Sequence, residues 1–330
     1  MHFLITGGLQ RTDATKLGEG KRFYKAVLNR LDWQTGEAEC LLSIDEESDH
    51  YANDHYADDT PNLLFTSATL LRDKLYVCSE TEVFVYEYPS MKLLNSCSLP
   101  HFQNIHHVTV CNGYVAVAST GLDLVIFLDP DSLEPVKFMH ALGEEPWHRF
   151  DQQKDYRKVH STKPHDAHPN FVFEIDGQPW ATRFNQKDAV CLEDMSKRID
   201  IGVERVHDGH VIGDFVYFTS VNGSVIIANK NTLEVEEVID LNKWENTDSP
   251  LGWCRGMAIK DNRMFVGFSR IRKTPIKENI NWMLNFVGAR ECFDTRVVEY
   301  DILQKEKVTE RILTRNVTDV VYSVIDENQS

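Results

Sequence analysis

Histidines that could bind a metal ion or move protons recur in three short motifs. The chain has 13 histidines, and several fall in His106-His107, His165-Asp166-Ala167-His168 and His207-Asp208-Gly209-His210. Neutral imidazole is the commonest protein ligand of transition metals, and a histidine within reach of a substrate can also act as a general acid or base. The motifs therefore indicate metal-assisted or acid–base chemistry, provided that the fold brings them together.

A repeating unit supplies the elements that would position these histidines. Each copy contains four short apolar or amphipathic strands, with tight turns such as Asn112-Gly113, Asp176-Gly177 and Asp261-Asn262. Turns of this kind are hairpin signals, and four strands repeated about every 40 to 60 residues are typical of β-propeller blades. The sequence thus predicts an all-β fold built from blades.

The two ends of the chain complete the repeat. Five full copies leave a first strand at 318–325 without a partner, and the strands at 2–6, 24–28 and 40–44 supply the rest of a sixth blade. We therefore predict a six-bladed β-propeller that forms one domain over residues 1–330, closed by N- and C-terminal strands in one blade. Such closure removes strand edges that could aggregate. A β-sandwich with additional hairpins is the alternative.

Aligning the blades on their turns places histidines of three successive blades at one mouth of the central channel. Three protein ligands with an open position would make a catalytic metal site, with iron, manganese or zinc as the ion. The predicted ligands are His106, His168 and His207, and the predicted catalytic residues are His165, His210 and Asp208. Asp166 and Asp208 could orient the imidazoles. Alternatively, these histidines bind ordered water and plug the channel.

Basic side chains near the same mouth predict an anionic or sugar-like substrate. Arginine suits carboxylate, phosphate or sulfate groups, and cations at a mouth would attract an anion to a protein of net charge −16. The predicted substrate-binding residues are Arg183, Lys187, Arg205 and Arg255. The alternative is that they pair with the acidic loop at 45–59.

The long links between strands are all predicted to lie on one face of the ring, here called the top. They are segments 7–22, 45–62, 143–167, 242–253 and 269–294. Function tends to be carried by loops on a rigid scaffold. Residues 280–286 could form a short amphipathic helix that acts as a lid, or an insertion that caps the core.

Composition excludes several classes of protein. No apolar stretch reaches the length of about 18 residues expected of a membrane span, and the first residues do not resemble a signal peptide. Seven cysteines without a CxxC pair predict reduced thiols in a cytoplasmic protein. The negative charge argues against nucleic acid and anionic membranes as partners, which leaves a small-molecule substrate. The oligomeric state is not indicated.

The six-blade pattern resembles the superfamily of propeller enzymes that includes gluconolactonase-like hydrolases and streptogramin-lyase-like proteins. Gluconolactonase-like members use a Glu/Asn/Asp metal set at the channel mouth, where this sequence has His106, His168 and His207. Their activity is therefore not carried over. Streptogramin-lyase-like members use histidines beside a metal, which is nearer to this arrangement. Fold alone does not assign function.

These observations predict a metal-dependent lyase or hydrolase that acts on a small polar substrate at the channel mouth. A redox metalloenzyme is the second enzymatic possibility. The alternative is a non-catalytic propeller that binds a protein or a glycan through its top face, with structural histidines and exposed aromatic side chains that carry the affinity.

Overall fold

The computed structural model describes residues 1–11, 22–49, 51–57, 61–271 and 293–328, and these residues form six antiparallel sheets. Their strands, in chain order, are β1 (His2–Gln10), β2 (Phe23–Asp32), β3 (Ala38–Ile44), β4 (Ser67–Leu71), β5 (Lys74–Cys78), β6 (Val83–Glu87), β7 (Lys92–Cys97), β8 (Ile105–Cys111), β9 (Tyr114–Ser119), β10 (Leu124–Leu128), β11 (Pro135–His140), β12 (Pro169–Ile175), β13 (Gln178–Arg183), β14 (Asp188–Cys191), β15 (Arg198–Asp200), β16 (His210–Ile212), β17 (Phe215–Ser220), β18 (Ser224–Asn229), β19 (Val235–Asp240), β20 (Trp253–Lys260), β21 (Arg263–Ser269), β22 (Arg296–Asp301), β23 (Glu306–Ile312) and β24 (Val320–Asp326). One short α-helix, α1 (Leu241–Trp244), and 3₁₀ turns at Asn53–His55, Thr120–Leu122 and Tyr156–Lys158 lie in the links.

Each sheet is one blade of a six-bladed β-propeller, which confirms the predicted fold class. Blades 1 to 5 contain four consecutive strands each, from β4–β7 through β20–β23. Blade 6 has the order β24-β1-β2-β3. Strands of neighbouring blades contact one another around the axis, which closes the ring: innermost strands meet at five of the six junctions, and β17 meets β20 at the sixth. A sandwich would instead stack two sheets face to face, so that alternative is excluded.

Tight turns fix the register within the blades. Asn112 and Gly113 have φ values of 50° and 80°, and Asp176 and Gly177 have 50° and 77°. Two successive residues at positive φ match the twist of antiparallel strands, which is why Asn-Gly and Asp-Gly favour two-residue hairpins. The turn residues recognised in the sequence therefore determine where first and second strands pair.

Blade 6 is closed by both ends of the chain, as predicted. Strand β1 pairs with β24 in the register Phe3 with Asp326 and Ile5 with Val324. Its other edge pairs with β2, where Ile5 lies opposite Asn29. The N-terminal strand thus lies between two partners, and neither of its edges is free.

The core lies between the blades. Six of the buried apolar clusters among the described residues each join two neighbouring blades. The cluster between blades 5 and 6, for example, packs Phe3 against Phe265 with ring centroids 4.5 Å apart. Burial of these apolar faces from water holds the blades in a rigid ring.

The long links leave the blades from one end, because antiparallel order puts second-to-third links and blade-to-blade links on the same side. Strand β1 continues to Gln10, past the start of the predicted segment 7–22, and α1 lies in segment 242–253. The predicted lid at 280–286 lies outside the described residues, as does most of segment 7–22. No helix within the described ranges is long and apolar enough to span a membrane.

Candidate active site at the top of the channel

A cavity of about 970 Å³ opens at the top end of the channel. Every blade contributes to its wall, and the innermost residues that line it include His106, His168, Asn170, His207, Arg255 and Tyr322. A second cavity of about 280 Å³ lies further along the channel, lined by His107, Asp208 and His210 among others. Tyr322 lines both cavities, so its ring lies between them.

Extra residues in the innermost strands explain why so many polar side chains reach the axis at one level. In β8, Ile105 and His107 pair with consecutive residues of β9, which leaves His106 as an additional residue. The same irregularity leaves Asn170 additional in β12 and Tyr322 in β24, and it falls between Cys254 and Met257 in β20. A β-bulge re-aims a side chain without breaking the sheet. The cavity wall is therefore built by repeated bulges.

His106 is held in one tautomer by Asn170. The His106 Nδ1 atom lies 2.7 Å from Asn170 Oδ1, and the Asn170 amide nitrogen donates to the Val206 carbonyl at 2.8 Å. Because the amide nitrogen is engaged elsewhere, Asn170 can only accept from the ring, so Nδ1 carries the hydrogen. The unprotonated Nε2 of His106 remains for a ligand.

His207 is oriented in the same way by a buried carboxylate. Its Nδ1 atom donates to Asp208 Oδ1 at 2.9 Å, while Asp208 Oδ2 accepts from the Thr219 hydroxyl at 2.7 Å and from the Gly256 amide at 2.8 Å. Burial opposes ionisation of Asp208, but the hydrogen bonds from His207 and Thr219 and the neighbouring histidines together outweigh it and lower the carboxyl pKa. The His207 Nε2 atom is buried and has no hydrogen-bond partner among the described residues.

A third hydrogen-bond chain orients His168. The Thr162 hydroxyl donates to the Gly121 carbonyl and therefore accepts from His165 Nε2 at 3.3 Å. The other ring nitrogen of a neutral His165 is then an acceptor, and it lies 2.8 Å from His168 Nδ1. His168 consequently also carries its hydrogen on Nδ1 and offers Nε2.

Burial keeps the three rings neutral. Removal from water holds the pKa of His106 well below its usual value, and the positive charge of Arg255 adds to this effect. Burial, His106 and His165 do the same to the pKa of His168. The pKa of His207 is also lowered by burial, although Asp208 opposes the shift. Three neutral imidazoles with Nε2 lone pairs thus line one cavity.

The donor chemistry of this trio fits a transition metal ion. Two histidine ligands of one tetrahedral ion have ring centroids about 5 Å apart, because the ion lies about 2 Å from each nitrogen. The centroids of His106 and His168 are 5.0 Å apart, and those of His106 and His207 are 6.2 Å apart. Within the described part of the chain, no three His, Cys, Asp or Glu side chains are already placed to hold one ion. Closure around an ion would require the His207 ring to approach by about 1 Å.

Asp123 holds the loop that carries His168. This carboxylate is fully buried and accepts the backbone amides of Asp166 at 2.8 Å, Ala167 at 3.0 Å and His168 at 2.7 Å. Arg149 pairs with both Asp123 and Asp166, at 3.3 and 2.6 Å. His168 has a φ of 57°, in the left-handed region, which a histidine keeps only when its surroundings hold it there.

The predicted cations separate into two groups. Arg255 lines the cavity, with its guanidinium carbon 4.7 Å from the Tyr322 ring centroid. Arg183 is buried in a two-bond pair with Asp188 and donates to the Ala141 carbonyl, so it does not face the cavity. Lys187 lies 3.7 Å from Glu204, and the exposed Arg205 packs over the Phe184 ring at 5.2 Å.

Reasoning from the sequence missed three residues of the site. Alignment on the turns put His168 at the position of His106, whereas the bulge in β12 puts Asn170 there and His168 in the preceding loop. Tyr322 was overlooked because the sequence does not reveal the bulge in β24 at which it is the additional residue. Asp123 carries no signal in the sequence, since the three backbone amides that it accepts lie more than 40 residues away.

Comparisons with known proteins support only the fold. No family model matches the sequence, and no curated protein matches it. A crystal structure of a protein of unknown function from Bacteroides caccae aligns with a TM-score of 0.59 and 8% identity, covering 99% of each chain. The computationally designed Ika8 protein aligns with a TM-score of 0.45 and 8% identity, over 92% of this chain and 74% of the other. The chain is a six-bladed β-propeller with a histidine-lined cavity at one end of its channel.

Proposed function

We propose that the protein is an enzyme, a lyase or hydrolase, that acts on a small anionic molecule in the upper cavity. In this proposal His106, His168 and His207 hold a divalent transition metal ion. One observation carries the proposal: each ring has its Nδ1 atom bound to a protein group, and no Nε2 atom has a hydrogen-bond partner among the described residues. Histidines that bind metals typically have this arrangement of outer partners.

The buried Nε2 atom of His207 gives the strongest support for a bound ion. A buried acceptor without a partner is rare in native proteins and calls for a bound ion or water. His207 is 3% exposed, and His106 offers a second acceptor nearby. A cation satisfies several such lone pairs at once. When bound, an ion of this kind supplies an activated water molecule or polarises a substrate oxygen.

The residues around the trio have separate roles. Asp208 and Asn170 fix the tautomers of His207 and His106, and Asp123 fixes the backbone at His168. His165 lies against His168, with ring centroids 5.0 Å apart, and is the candidate for proton transfer to or from a substrate. His210 lines the lower cavity and would act only from there.

Charge supports an anionic substrate. Arg22, Arg157, Lys163, Arg255 and Arg270 line the cavity, whereas Glu80 is the single carboxylate among its described lining residues. This excess of cations contrasts with the net charge of −16 for the whole chain. A positively charged cavity in a negatively charged protein concentrates anions at its mouth.

Metal analysis of protein purified without a chelator and without an affinity tag tests the proposal. We expect one transition metal ion per chain, and its loss in each of His106→Ala, His168→Ala and His207→Ala. The matched control is His148→Ala, because His148 is exposed and outside the cavity lining. A search for activity follows, in which lyase action on carboxylates is detected by the ultraviolet absorbance of a new conjugated double bond.

Metal-free acid–base catalysis is a second candidate, favoured by the 2.9 Å contact between His207 and Asp208. A histidine oriented by a buried carboxylate can act as a general base through its free nitrogen. This candidate predicts activity without metal that is abolished by Asp208→Asn. A protein with neither metal nor activity would be better described as a propeller that binds its ligand without transforming it.

The thiols support a cytoplasmic location as part of the proposal. None of the six cysteines within the described residues is in a disulfide. Burial raises the pKa of Cys78 and Cys111 to about 12, so both are unreactive thiols inside the core. Reduced cysteines in such numbers are typical of cytoplasmic proteins.

A further inference from the structure

Arg255 is a cation in the wall of the upper cavity. It forms no ion pair with any described residue, and its Nε atom is buried without a hydrogen-bond partner. Arg157, in the same wall, is neutralised by two contacts with Asp155, at 2.9 and 2.7 Å. An anion stabilises a partly buried guanidinium, so Arg255 is a candidate anion-binding group.

The face of this guanidinium is already occupied. Its carbon lies 4.7 Å from the centroid of the Tyr322 ring, a cation–π contact. Such packing holds the guanidinium and leaves its donors to point along its edges. Donors in one plane match the two oxygens of a carboxylate, which arginine binds with parallel hydrogen bonds.

The histidine wall of the cavity has the complementary chemistry. His106, His168 and His207 present Nε2 lone pairs, so that wall accepts hydrogen bonds or binds a metal ion, and it offers no charge to an anion. Hydroxyl groups satisfy such acceptors, and they also bind metal ions. Arg255 and His207 both pack on the Tyr322 ring, with distances of 4.7 and 6.5 Å to its centroid, so one small molecule can reach both walls.

We infer that the ligand of the upper cavity is a small hydroxycarboxylate, with its carboxylate on Arg255 and its hydroxyl groups on the histidine wall. This inference rests on the proposed function for the site, and it adds the chemical class of the substrate. Arg255 is the lining cation that shares the Tyr322 ring with His207, and one guanidinium matches a carboxylate monoanion better than a phosphate dianion. The neutral histidines beside it add no second positive charge.

Calorimetric titration of metal-free protein at low ionic strength tests the inference with three matched probes. Galactonate carries both a carboxylate and hydroxyl groups, galactitol only the hydroxyl groups, and hexanoate only the carboxylate. We expect galactonate to bind at least tenfold more tightly than either of the other two. Inorganic phosphate serves as the test for an unspecific anion site and should bind more weakly than galactonate.

Variants of Arg255 assign the binding to this side chain. We expect Arg255→Gln to weaken galactonate binding at least tenfold and Arg255→Lys to restore part of it, because lysine keeps the charge but not the planar fork. Arg205→Gln is the matched control and should leave binding unchanged, since the exposed Arg205 does not line the cavity. Urea unfolding of each variant shows that the fold is retained.

Three results would overturn the inference: galactitol that binds as tightly as galactonate, phosphate that binds more tightly than galactonate, or Arg255→Gln protein with unchanged affinity. The outcome is separable from that of the proposed function. Galactonate binding by a protein that never takes up metal or turns over a substrate would support the ligand class and reject the enzyme. Metal binding without galactonate binding would support the metal site and reject the ligand class.

Discussion

Replacement of Asp123 tests whether one buried carboxylate positions the histidine loop. Asp123 is fully buried and accepts three backbone amides, those of residues 166 to 168, at 2.7 to 3.0 Å. In Asp123→Ala all three acceptor contacts disappear. In Asp123→Asn one of the two oxygens becomes an amide nitrogen, which cannot accept the amide hydrogen of Asp166.

The expected loss of stability follows from these contacts. A hydrogen bond to a charged group contributes about 1.5–3 kcal/mol, and breaking a buried charged network by removing one member costs about 3–5 kcal/mol. Arg149 keeps Asp166 as a partner at 2.6 Å, so it is not left unpaired. We therefore expect Asp123→Ala to lower the free energy of unfolding by about 3–5 kcal/mol and Asp123→Asn by about 1–3 kcal/mol.

Urea unfolding measures these losses, and Asp166→Asn is the control. Asp166 binds the same arginine, but its side chain is 44% exposed, so its replacement should cost under about 1 kcal/mol. Metal affinity gives a second readout that general destabilisation would not move: it should fall in both Asp123 variants under native conditions and stay unchanged in Asp166→Asn. Equal losses of stability in Asp123→Ala and Asp166→Asn would refute the reasoning.

Three further predictions concern the site and the closure of the ring. Asp208→Asn should weaken metal binding about 10–100-fold, measured by competition with a chelator: the remaining oxygen must accept from Thr219 and Gly256, so the new amide nitrogen faces His207 Nδ1 and no longer fixes its tautomer. Gly256→Ala should cost more than about 2 kcal/mol in urea unfolding, because the glycine has a φ of 73° and an added Cβ would lie 2.8 Å from Val324 N; wild-type stability would contradict this. Glu327 accepts from Arg30 at 2.8 Å and Tyr88 at 2.6 Å, and although burial opposes it, these bonds lower its pKa. Glu327→Gln should therefore cost about 1–2 kcal/mol at pH 7. The unfolded carboxylate takes up its proton at a higher pH than the folded one, so the stability difference between wild type and Glu327→Gln should shrink as pH falls below about 4. A stability difference that persists at low pH would show that Glu327 acts without its charge.

Local sequence signals were sufficient for the blades. The Asn112-Gly113 and Asp176-Gly177 turns predict hairpins because few other residue pairs adopt two positive φ values in succession. The period of the strands then predicts a propeller, and a first strand without a second strand at the C-terminus predicts closure by β1. The hairpin inferences succeeded because they depend on residues close together in the chain, and closure by β1 followed from counting the strands.

The site was only partly predictable from the sequence, because it also depends on residues far apart in the chain. Each of the three histidine motifs contributes to the upper cavity, yet some of the partners that decide their chemistry come from other blades. Asn170 meets His106 across 64 positions of the sequence, and Gly256 meets Asp208 across 48. Arg183 looked like a free cation in the sequence, but the fold pairs it with Asp188 five residues away, across the β13–β14 hairpin.

The sequence by itself determined a ring of six four-stranded blades, the blade that both ends complete, and the wealth of histidines near one mouth. Only the tertiary structure decided which atoms those histidines offer, because the tautomers depend on Asn170, His165 and Asp208. It also decided that Arg255 faces the cavity while Arg183 does not. The physical reason is that strand periodicity is a local property, whereas bulges, burial and hydrogen bonds between blades exist only after the ring has closed.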